Sequence, residues 1–157
     1  QPNTVFCLLP KINNIFWNMP LLNTSVSLYR PLQCMQYTLA VLWIYQGFIP
    51  KILFQAQDEL RIWQLQGFSE SLASIIMQAS GVIEIIFGML FFIFKSATLL
   101  HYFNIFGMVG LSLLILWVDP HYFSNAFNPF VMNVAMAVLS LTAIQLIKQL
   151  KQNSTTY

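Results

Sequence analysis

The sequence predicts an all-α integral membrane protein: a bundle of four transmembrane helices with both termini in the cytoplasm. Three observations predict it. Charged residues make up only 8% of the 157 residues, against 57% hydrophobic, whereas an average soluble domain is about 25% charged. The apolar residues gather into blocks long enough to cross a bilayer, and the mean hydropathy is +0.65. Between the blocks stand short polar or proline-marked segments. Lipid offers no partner for backbone N–H and C=O groups, so such blocks must be helices.

Residues 1–30 form an N-terminal extension punctuated by Pro2, Pro10 and Pro20. Ile12, Ile15, Phe16 and Met19 recur at helical spacing, with Lys11, Asn13, Asn14 and Asn18 facing elsewhere. That pattern fits a short amphipathic helix in the membrane interface or a coil packed on the bundle. Residues 31–148 are expected to form the transmembrane domain. Its first span starts at Pro31, where a missing N–H costs nothing in a first helical turn, and reaches about Phe54. Pro50 is expected to kink the last turn, and Gly47 admits a close neighbour. Residues 55–71 carry Asp58, Glu59, Arg61 and Glu70 and read as a headgroup-level loop or short helix, with Trp63 and Phe68 as interfacial aromatics. The second span runs from about Leu72 to Phe94, and Lys95-Ser96-Ala97-Thr98 makes a hairpin turn into the third, Thr98 to Val118. Asp119-Pro120 stops that span. Asn128-Pro129 caps and starts the fourth, which ends near Ile147, and residues 149–157 are a polar tail. Lys11, Arg30, Lys95, Lys148 and Lys151 lie on the side of the termini, Lys51 and Arg61 on the other. The positive-inside rule therefore puts both termini in the cytoplasm.

One residue breaks the pattern. Glu84 is the only charge between Leu72 and Phe94, in the run Gly81-Val82-Ile83-Glu84-Ile85-Ile86-Phe87-Gly88. A carboxylate at a bilayer centre costs on the order of 2.5–3.5 kcal/mol on insertion scales, and such residues face partners or a polar path. With the spans aligned end to end, Gln46, Lys51, Asp119, Asn128 and Asn133 fall in the non-cytoplasmic half, and Glu84 lies beneath them. A polar pocket opening to that side is expected, with Glu84 as proton acceptor or donor and the other five as ligand-binding groups. Lys51 is the favoured partner of Glu84, although counting 1.5 Å per residue leaves about 13 Å between them. Each residue also has a structural reading: Glu84 as an interhelical post, Lys51 snorkelling to the interface, Asn128 as a helix cap, Asp119 as a stop.

Other chemistries are argued down. The net charge of +2 forms no basic patch, so nucleic acid is not a partner. Cys7 and Cys34 have no metal or disulfide spacing. His101 and His121 sit at opposite ends of the third span and do not share a haem. No metal centre, P-loop, GxGxxG or GxSxG is present.

The segment Leu42-Trp43-Ile44-Tyr45-Gln46-Gly47-Phe48-Ile49-Pro50-Lys51, the Gly81–Gly88 run, and Asn128-Pro129-Phe130 followed by Asn133 together resemble the DoxX-like family of small bacterial membrane proteins, from about Tyr29 to Leu150. The resemblance implies a four-helix bundle in the bacterial cytoplasmic membrane. The family's name comes from a relative tied to a thiosulfate-to-quinone oxidoreductase, and most members have no established activity. Two roles follow as expectations. In one, the chain is a membrane component of a quinone-linked redox system; it carries no cofactor of its own, binds a quinone, and relies on a partner for electrons. In the other, it is a non-enzymatic accessory subunit docked on other membrane subunits or on its own copies. A small-solute carrier ranks third.

Overall fold

The computed structural model describes residues 24–124 and 128–155. The amphipathic segment expected within residues 1–20 lies outside them. Every regular element among the described residues is helical: α1 (Thr24–Gln46), a π-helical turn (Gly47–Leu53), α2 (Gln57–Leu65), α3 (Glu70–Ile93), α4 (Thr98–Val118), a 3-10 turn (Pro120–Ser124) and α5 (Pro129–Thr155). Among the described residues, three helices are long and apolar enough to cross a membrane: Glu70–Ile93, Thr98–Val118 and Pro129–Asn153. A fourth crossing exists if Leu28–Leu53 and Gln57–Leu65 count as one span, bent by 83°.

Two boundaries differ from the sequence reading. Helix α1 begins at Thr24 and carries Pro31 inside it, so that proline is not the first helical residue. At its other end α5 continues to Thr155, through the lysines and glutamines expected to form a tail; good helix formers extend a helix once packing has begun it.

Pro50 does more than kink a turn. Its ring has no N–H and crowds the carbonyl four residues back. The helix widens, so that Phe54 N–H bonds to Ile49 O at 3.0 Å and Ala56 N–H to Pro50 O at 2.8 Å, wider loops than the α-helical ladder. Gln55 then adopts a left-handed φ of 46°, and the chain turns into α2. The apolar face of α2 packs on α3, with Leu60 against Ala73 and Met77 and Trp63 alongside.

The helices pack in two close pairs, α1 with α3 and α4 with α5, and α1 joins the pairs through α5. Glycines set the first pair. A Cβ on Gly81 would sit 2.6 Å from Gly47 O, and one on Gly88 would sit 2.8 Å from Ala40 O. Both distances are below van der Waals contact, so only glycine allows this approach. Leu39, Ala40, Trp43, Phe91, Leu100, Met108 and Met136 fill the core between the pairs. At the turn end, buried Gln36 donates to Lys95 O and ties α1 to the α3–α4 connection. Beyond that turn, α3 and α4 diverge and leave a cleft.

Candidate functional site

Glu84 faces the seam between α1 and α3 and is 7% exposed. Its Oε1 lies 2.5 Å from Lys51 Nζ. The expected gap closes because the ends of α1 and α3 are not level. The register Gly47–Gly81 puts Lys51 beside Gly81, whose added Cβ would lie 2.9 Å from Lys51 Cβ. Some eleven residues of α3, about 16 Å at 1.5 Å per residue, continue past that level, and α2 packs against them. The π turn places Lys51 on the buried face, 6% exposed.

Lys51 has two further neighbours. Glu59 Oε1 on α2 is 3.3 Å from Nζ, and Ser80 Oγ accepts from Nζ at 3.4 Å. Ser80 in turn donates to Met77 O at 2.7 Å. An ammonium has three hydrogens, and all three have acceptors. Two carboxylates thus share one lysine, and Glu84 Oε2 and Glu59 Oε2 are buried without a partner. Glu59 was assigned no role from the sequence. Its signal was the 3.6-residue pattern of α2, in which Leu60 and Trp63 mark the face turned to α3.

Beside Glu84, the divergence of α3 and α4 leaves a cleft of about 280 Å³, near the lower end of ligand-pocket sizes of about 300–1,000 Å³. Ser80, Ile83, Glu84 and Phe87 of α3, Phe103 and Leu111 of α4, and Trp43 of α1 line it. Trp43 and Phe87 meet edge to face with centroids 4.9 Å apart. The walls are apolar, and the polar groups cluster at Ser80 and Glu84.

The other expected ligand groups are placed elsewhere. Asn133 donates to Ser112 Oγ at 3.1 Å and lines a separate α4–α5 cavity. Asn128 donates to Phe123 O and caps α5 by accepting from Val131 N–H at 3.4 Å. Asp119 lies 3.7 Å from Arg61, bridging α4 to α2. Nearby, burial and the carboxylates of Asp58, Glu59 and Asp119 raise the Tyr122 phenol above its ordinary pKa. Gln46 is half-buried, with its Oε1 unpartnered. The structure therefore brings Lys51 and Glu84 together but does not gather Asp119, Asn128 and Asn133 into one pocket with them.

A second polar group lies deeper in the core. Trp43 Nε1 donates to Asn104 Oδ1 at 2.7 Å, and Asn104 Nδ2 donates to Ser140 Oγ at 2.8 Å and to Met136 O at 3.0 Å. Ser140 Oγ is 3.3 Å from His101 Nδ1. This chain pins α1, α4 and α5 together and fixes the Trp43 ring as the back wall of the cleft.

A family model described as the DoxX-like family matches residues 40–141, more than half of the chain. No curated protein and no solved structure matches.

Proposed function

The chain belongs to the DoxX-like family, and on that premise we propose that this membrane protein works in a quinone-linked redox system as a four-span bundle of the bacterial cytoplasmic membrane with both termini inside. The observation that carries the reading is Glu84: a buried, half-satisfied carboxylate in the wall of an apolar cleft between two helices. A quinone supplies redox chemistry when bound, and its ring suits the aromatic walls formed by Trp43, Phe87 and Phe103. Lys51 holds Glu84 in place through Oε1, and Glu84 Oε2 is the atom that accepts a proton from the ligand. Electrons pass to or from a partner subunit. The cleft lies between membrane-spanning helices, so its occupant reaches it sideways from lipid rather than through the outward-facing polar pocket expected from end-to-end alignment.

Purification from native membranes, followed by lipid and quinone extraction, tests this. Quinone recovered, in either redox form, from the isolated chain and diminished in Glu84→Gln supports the reading. An isolated chain that carries no quinone and is indifferent to the substitution contradicts it.

A specific observation also favours the accessory role. A Cβ added at Gly107 or Gly110 would meet nothing within 4 Å, and Phe106, Val109 and Leu113 around them are exposed. Small residues at a transmembrane surface admit close helix approach. This face of α4 suits a helix of another subunit or of a second copy. Cysteine cross-linking through Gly107→Cys in native membranes should trap that neighbour; the absence of any adduct counts against the docking role.

A further inference from the structure

The cleft beside Glu84 offers hydrogen-bond acceptors but no free donor. Of its lining residues, three side chains carry polar atoms: Trp43, Ser80 and Glu84. The indole N–H of Trp43 is given to Asn104. The hydroxyl hydrogen of Ser80 is given to Met77 O. The Lys51 ammonium behind the wall spends its hydrogens on Glu84, Glu59 and Ser80. What is left over is an acceptor: Glu84 Oε2, buried and without a partner, on a side chain that is 9% exposed. The last torsion of a glutamate is broad, so the carboxylate can present Oε2 to a donor in the cleft while staying within reach of Lys51.

We propose that the cleft binds hydroxyl-bearing aromatic ligands and selects them against forms that carry only acceptors; resting on the quinone-linked reading, this means that it holds the quinol rather than the quinone. A quinone carbonyl only accepts hydrogen bonds and would face a carboxylate oxygen with no hydrogen between them. A quinol hydroxyl donates to that oxygen. A buried acceptor left without its hydrogen bond carries a desolvation penalty, and a hydrogen bond to a charged group is stronger than one between neutral groups. The cleft is the size of a headgroup, and it opens where α3 and α4 part, so an isoprenoid-type tail stays in the lipid. Preference for the reduced form raises the midpoint of the bound couple by about 30 mV for each tenfold difference in affinity.

Two pairs of probes test the proposal on the full wild-type chain in nanodiscs under anaerobic conditions. The first pair is decylubiquinol and decylubiquinone. The second is 4-nonylphenol and its methyl ether, in which a methyl group replaces the donor hydrogen. Binding of each is read by quenching of tryptophan fluorescence. The expected result is about 10- to 100-fold tighter binding of the quinol and of the phenol, the span given by one hydrogen bond to a charged group. Glu84→Gln should narrow both preferences, because an amide supplies a donor as well as an acceptor. Leu111→Trp, which fills the cleft away from the ion pair, should weaken all four probes. Phenol and ether binding equally, or the quinone binding as tightly as the quinol, overturns the proposal. If the phenol is preferred over its ether while neither ubiquinone form binds, the donor preference stands and the quinone-linked reading falls.

Discussion

At the scale of single residues, the molecule turns on Lys51. One ammonium serves two carboxylates and a hydroxyl, and Lys51 and Glu84 themselves are buried. Removing one member of a buried ion pair leaves the other charge uncompensated, at a cost of about 3–5 kcal/mol. Lys51→Met should therefore lower the unfolding midpoint in detergent substantially, and Glu84→Gln should lower it less, since Lys51 keeps Glu59. The double variant should be more stable than the sum of the single losses, because directly contacting groups couple; strict additivity would show that the pair does not interact. In the second network, Trp43→Phe removes the indole donor and leaves Asn104 Oδ1 unpaired in the core. A loss of about 1–3 kcal/mol is expected for an unsatisfied buried group, again read from unfolding in detergent.

At the scale of elements, the glycines separate two kinds of helix contact. Gly81→Ala would drive a Cβ into the backbone of the π turn, and overpacking of this kind costs about 1–3 kcal/mol. The same change at Gly107 meets open space. There, alanine should stabilise the isolated chain by roughly 0.5–1 kcal/mol, through helix preference alone. Opposite signs in thermal unfolding are the expected outcome, and equal destabilisation would refute the packing described. Three of the four expected spans were legible in the sequence, because apolar runs and proline or polar stops report directly on what lipid tolerates; Thr98–Val118 was read with its observed bounds. Glu84 stood out for the same reason. The height of Lys51 was not legible. It depends on how far α1 stops short of the end of α3, which is set by the Gly47–Gly81 contact and by α2 folding against α3, and neither follows from counting residues inward from loop ends. The separation of Asn133 and Asp119 from Glu84 was hidden for a related reason: similar depth on different helices does not say which face each residue presents. Ser140 gave no signal at all, being one small polar residue in an apolar run.

At the scale of the whole molecule, the two helix pairs leave an open side between α3 and α4, on which Gly107 lies between the cleft-lining Phe103 and Leu111. The proposed orientation puts the 3-10 turn outside the cell and the lysines that follow Ile147 inside. A cysteine at His121, in a background without Cys7 and Cys34, should react with an impermeant maleimide in intact cells, and one at Gln152 only after permeabilisation; the reverse pattern would invert the assignment. The central claim concerns the open side, where Glu84 meets lipid-borne ligand. Photo-cross-linking with an azido-quinone kept in its quinol form under anaerobic, reducing conditions in native membranes, followed by mass-spectrometric mapping, tests it most directly. Adducts on Ile83, Phe87, Phe103 or Leu111, weakened by Glu84→Gln, are the expected result. Adducts confined to the α4–α5 cavity around Val109, Leu113 and Phe130, or a labelling pattern that Glu84→Gln leaves unchanged, would contradict it.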